Sequence, residues 1–81
     1  MLNIVCGRQL RAARTLAGLT QSQLSTEAGF APRACRYWEG RGNSPPTDIP
    51  QSLDAIERVL RRHGVEVFSD PSPGCRLAST K

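Results

Sequence analysis

Arg33, Arg36 and Tyr37 stand within five residues of one another in the stretch "FAPRACRYWEGRG", residues 30–42, with Trp38 beside them and Arg41 close behind. Guanidinium groups interleaved with aromatic rings suit two tasks. One is gripping a nucleic acid, where a guanidinium forks onto a base edge or a phosphate and a ring offers apolar contact. The other is plain architecture, a core helix with a charged outer face. Helical geometry separates the residues. At about 100° per residue, an inner face defined by Cys35 and Trp38 puts Arg33 and Gly40 almost opposite. Arg36 and Tyr37 then lie on the outer flanks, and Ala34 and Glu39 border the core. Trp38 is therefore read as core, with an indole N–H that wants a partner, and Cys35 as a small buried hydrophobe.

Charge agrees with a polyanion as partner. The net charge of the 81 residues is +4. Residues 1–41 carry six arginines against Glu27 and Glu39, whereas residues 42–81 are balanced. The excess thus sits in the first half, the pattern of a chain that presents one positive face.

Other chemistries find little support. Cys6, Cys35 and Cys75 are odd in number and widely spaced, and His63 is the only histidine. Zinc sites use close ligand pairs and disulfide frameworks use denser, even sets, so free thiols in a reducing cytosol are expected, with no metal and no cofactor. No catalytic constellation is visible, and Gly40 and Gly42 are turn residues with no strand ahead of them. The chain has no apolar run of about 20 residues and no basic segment before its short apolar start. A cytoplasmic protein of bacterial or phage origin without a membrane partner is expected.

The elements that must position these residues are well punctuated. A first helix spans about 7–17, with Leu10, Ala13 and Ala17 as its stripe and Gly18 as its end. Thr20 and Gln23 form a capping box, and Leu19 and Leu24 a hydrophobic staple, so a second helix runs from Gln21 to about Ala28 and stops at Gly29. Pro32 suits the first position of a third helix, 32–39. Ala31 before it is a poor cap, so another group must satisfy the first amides. The loop "RGNSPPTDIP" leads to a fourth helix at about 48–63, capped by Thr47 or Asp48, with Ile49, Leu53, Ile56 and Leu60 as its stripe. His63 falls in its last turn as a cation on the helix dipole. The period then changes. Val65 and Val67, then Cys75 and Leu77, alternate with polar residues around "SDPSPG", which predicts two short strands at 65–68 and 75–78.

A capped helix, a glycine turn and a short helix make a helix-turn-helix arrangement. With these residues in place, 8–63 resembles the DNA-binding domain of the Cro and phage-repressor family. Gln21 stands at the family's usual glutamine. Leu24, Ala28, Gly29, Phe30, Cys35 and Trp38 stand at its apolar and turn positions. "LAGLTQSQL" and "YWEGRG" are the most similar stretches. The resemblance implies a mainly α, lambda-repressor-like four-helix bundle followed by a two-stranded β tail, and a salt bridge from Arg14 to Glu39. It also implies a sequence-specific transcriptional regulator that lays its third helix in the major groove. Arg33 is then the candidate for guanine O6 and N7. Tyr37 would touch a thymine methyl or a phosphate, and Arg36 either. Thr20 and Gln21 at a helix start, with Arg41 and Asn43 past the third helix, would hold phosphates. Arg8 and Arg11 either assist or only solubilise the first helix. Ser25 replaces a commoner alanine. Pro32 takes the place of a residue that often touches DNA, and it has no N–H to offer. Residues 65–78 are the expected homodimer contact, because a lone hairpin is marginal and its edges invite pairing. A different class stays open, a protein-binding module such as an antitoxin or a transcription adaptor, since fold does not fix function.

Overall fold

Helix α1, Gly7–Ala17, turns the Leu10 and Ala13 stripe inward, and both side chains are fully buried. Its N-cap, Cys6, makes no side-chain cap. The opening amides are satisfied at long range instead. Gly7 N–H donates to the Ser44 carbonyl at 3.1 Å and Arg8 N–H to the Gly42 carbonyl at 2.9 Å. The helix closes on Gly18, whose φ of 77° is left-handed and favours a residue without Cβ. The computed structural model of the chain describes residues 3–47 and 49–78.

Helix α2, Gln21–Glu27, opens on the capping box. The Thr20 hydroxyl accepts from Gln23 N–H at 3.0 Å, and the Gln23 side chain accepts from Thr20 N–H at 2.9 Å. Gly29, at φ 89°, makes the turn. Helix α3 covers Ala34–Glu39 and so starts two residues later than the proline suggests. Pro32 and Arg33 form a tight turn, closed by Ala34 N–H donating to the Ala31 carbonyl at 3.0 Å. Arg33 sits at φ −92°, ψ −1°, a turn conformation rather than a helical one. The group that caps α3 is Ser25, buried in α2. Its hydroxyl accepts from Cys35 N–H at 3.0 Å and donates to the Gln21 carbonyl at 2.8 Å.

Helix α4 covers Pro50–Arg62, with proline at its first position. Thr47 caps no helix. Its hydroxyl accepts from Ile49 N–H at 3.3 Å, one step before the helix, and Asp48, the other expected cap, lies outside the described residues. Ile49 is extended (φ −104°, ψ 100°) and 57% exposed. An extended residue does not follow the helical stripe, so Val59 joins Leu53, Ile56 and Leu60 in its place. Strands β1, Val65–Phe68, and β2, Gly74–Leu77, pair antiparallel with Val65 opposite Leu77 and Val67 opposite Cys75.

The four helices and the sheet share one core. Ile4, Leu10, Leu24, Cys35, Ile56, Leu60 and Val65 are all essentially inaccessible, and Val67 nearly so. The hairpin is therefore part of the core rather than an appendage to the helices. Gln9, buried in α1, stitches the arrangement together. Its Oε1 accepts from Val5 N–H at 2.7 Å. Its Nε2 donates to the carbonyls of Asn3 and Phe68, both at 2.7 Å, and of Gly74 at 3.1 Å. Among the described residues, no helix is long and apolar enough to cross a membrane, and no group of three His, Cys, Asp or Glu is placed to hold a metal ion.

Candidate functional site

The outer surface of α3 is open. Arg33, Arg36 and Tyr37 are exposed, Tyr37 by 69%, and Arg41 and Asn43 are exposed in the turn that follows. Thr20 and Pro32 are exposed at the edges of the same surface. The inner side holds the helix in place. Cys35 is fully buried. Trp38 is half-buried and meets Phe30 edge-to-face, with centroids 5.1 Å apart and planes at 80°. Burial raises the Cys35 thiol above its ordinary pKa. The Ser25 hydrogen bond offsets part of this, and the Glu39 charge raises it and the Arg14 charge lowers it by lesser amounts. The thiol stays protonated, and a protonated, buried thiol is inert.

The end of α3 is fastened by a carboxylate. Glu39 Oε2 lies 2.6 Å from Arg14 Nε, and Glu39 Oε1 accepts from Arg14 Nη2 at 3.3 Å. The third arm of Arg14 donates to the Leu19 carbonyl at 2.8 Å. Gln21 completes the set, its Nε2 donating to Glu39 Oε1 at 3.0 Å. One buried carboxylate thus ties α1, α2 and α3. The Gln21 amide is turned inward to this carboxylate, although the sequence placed it among phosphate contacts. Gly7 brings α1 against the same end of α3. A Cβ at this position would lie 2.5 Å from the Trp38 carbonyl oxygen and 2.8 Å from that of Glu39.

No family model, curated protein or solved structure matches the chain.

The distribution of ion pairs sorts the arginines. Arg14, Arg58, Arg61 and Arg76 each hold a carboxylate. Arg8, Arg11, Arg33, Arg36, Arg41 and Arg62 form no ion pair among the described residues; Arg62 ends α4, and the other five lie on α1, on α3 or in the turns that flank α3. A cleft of about 500 Å³ lined by Arg11, Arg14, Gln21, Arg36, Glu39 and Gly40 puts the α1 and α3 cations on one continuous surface. Arg11 thereby joins the site, a position that sequence reasoning left undecided. Its signal in the sequence was faint, since Arg11 precedes Arg14 by a single helical turn and only the packing of α1 on α3 brings it to Arg36. His63, the C-cap of α4, lies with its Nε2 3.0 Å from Glu27 at the end of α2.

Proposed function

We propose that the chain is a sequence-specific, double-stranded DNA-binding transcriptional regulator in which α2, the Gly29 turn and α3 act as a helix-turn-helix of the lambda-repressor-like kind. The observation that carries the reading is that Arg33, Arg36 and Arg41, exposed on and beside a firmly held α3, have no carboxylate partner among the described residues, with Arg11 sharing a cleft with Arg36. Free cations on a fixed frame release counterions from a polyanion without first breaking internal pairs.

In this reading α3 lies in the major groove. Arg33, exposed at its N-terminal end, forks onto a guanine. Tyr37 and Arg36 work on either flank, and Arg41 and Asn43 hold phosphates and set the register. Thr20 and Gln21 serve chiefly by fixing α2, through the cap and through Glu39. Pro32 shapes the turn that presents Arg33. Two copies would read half-sites about 34–36 Å apart. A homodimer contact made by the hairpin would use its outward face, Glu66, Phe68 and Arg76, because Val65 and Val67 are in the core.

The test is binding to genomic DNA fragments at two salt concentrations in the presence of competitor DNA. A specific complex survives competition and weakens steeply with salt. Arg33→Ala costs about 1–3 kcal/mol and relaxes one base position; an unchanged preferred site and affinity would overturn the assignment of Arg33. A protein-binding role of the antitoxin or adaptor kind has one observation in its favour, a separate groove between α1 and β2, and is compatible with DNA binding.

A further inference from the structure

A cleft of about 720 Å³ runs between α1 and β2 and is lined by Arg8, Arg11, Ala12, Thr15, Leu16 and Cys75. The α1 residues follow one another at helical spacing on the side of the helix away from Leu10 and Ala13. Ala12, Leu16 and Cys75 make the floor apolar, and Leu16 keeps 39% of its surface exposed. Arg8 and Arg11 rim it and hold no carboxylate among the described residues. The third nearby cation, Arg76, is already engaged, its Nε 2.8 Å from Glu66 and its guanidinium over the Phe68 ring.

We infer that this groove takes an acidic, amphipathic segment of a partner protein. Such a segment sets carboxylates against Arg8 and Arg11 and an aliphatic side chain over Leu16 and Cys75. Charge complementarity selects this occupant over a second copy of the chain. Glu39, Asp54, Glu57 and Glu66 each pair with an arginine of the same chain, and Glu27 lies 3.0 Å from His63 Nε2, so Asp70 in the hairpin turn is the one described carboxylate without such a contact. A symmetric contact with a second copy would set Arg8 and Arg11 against their own counterparts, which is repulsive. The apolar floor selects against a nucleic acid, whose phosphates gain nothing from Leu16 or Cys75. A helix laid in an apolar groove with charged rims is a familiar recognition mode. The inference does not use Arg33, Arg36 or Tyr37, the residues proposed to read bases, and the groove shares only Arg11 with the cleft beside α3.

The experiment titrates the full ¹⁵N-labelled chain with two synthetic amphipathic helical peptides that carry the same leucines, one with glutamates and one with lysines on the polar face. The glutamate peptide shifts the amides of Ala12, Leu16 and Cys75, and the lysine peptide does not. Arg8→Gln and Leu16→Ser, each shown by circular dichroism to fold, weaken binding of the glutamate peptide by roughly tenfold. Arg33→Ala leaves it unchanged. No shift, a shift elsewhere, or equal response to both peptides overturns the inference. Shifts of these three amides on concentrating the protein alone would assign the groove to a second copy and overturn it too. The same shifts on adding a DNA duplex would assign it to nucleic acid, with the same consequence.

Discussion

Gly7→Ala tests how closely α1 and α3 are locked. The added methyl would stand 2.5 Å from the Trp38 carbonyl oxygen, where ordinary contact begins near 3.4 Å. The obstacle is backbone on both sides, so no side chain can swing away, and α1 must retreat by nearly an ångström. That retreat loosens the bonds from Gly7 and Arg8 N–H to Ser44 and Gly42, now 3.1 and 2.9 Å. Overpacking of this kind costs about 1–3 kcal/mol, and weakening one of two cap bonds adds about 0.5–1.5 kcal/mol. Alanine returns about 0.5–1 kcal/mol because it loses less backbone entropy than glycine. The net is a destabilisation of about 2 kcal/mol, or a fall in Tm of about 8–16 °C for a domain of this size. Urea and thermal unfolding followed by circular dichroism measure it. Gly40→Ala is the control: at φ −68° with the nearest atom 3.4 Å from a Cβ, it changes stability by less than about 0.5 kcal/mol. A Gly7→Ala protein as stable as the parent would refute the close approach and, with it, the geometry that sets α3 against α1.

Glu39→Ala strands the Arg14 guanidinium and the Gln21 amide together, and is expected to cost about 3 kcal/mol. The checks are a lower urea midpoint and a matching loss for Arg14→Ala that is not additive in the double variant. Gln9→Ala removes the side-chain partner of Val5 N–H and of the carbonyls of Asn3, Phe68 and Gly74; a loss of about 1–3 kcal/mol in denaturant titration is expected. The raised pKa of the Cys35 thiol keeps its thiolate scarce, so alkylation at pH 8 proceeds only as fast as the protein unfolds. Mass spectrometry that found Cys35 modified as fast as a denatured control would contradict its burial.

The signals that act over a few residues were legible in the sequence. The capping box at Thr20 and Gln23, the glycine ends at Gly18 and Gly29, and the stripes of α1 and α4 gave four helices and a short two-stranded sheet, as found. What the sequence hid was set by distant contacts. The start of α3 follows from a Ser25 hydroxyl ten residues away, so proline's preference for a first helical position did not decide it. Ile49 matched the α4 stripe by spacing, yet Pro50 holds it outside the helix in extended backbone. Gln9 looked like any polar residue of a surface helix, because its partners come from both ends of the described chain. At the candidate site, the outward set of Arg33, Arg36 and Tyr37 could be placed from helical geometry alone. The inward turn of the Gln21 amide could not, since it depends on where α3 delivers Glu39.

The borrowed cap of α1 has a dynamic consequence. The first turn of α1 and the exit of α3 share hydrogen bonds, so neither can fray without the other and the two belong to one cooperative opening unit. The amide protons of Gly7 and Arg8 thus report, from a helix away, on whether the end of α3 is seated.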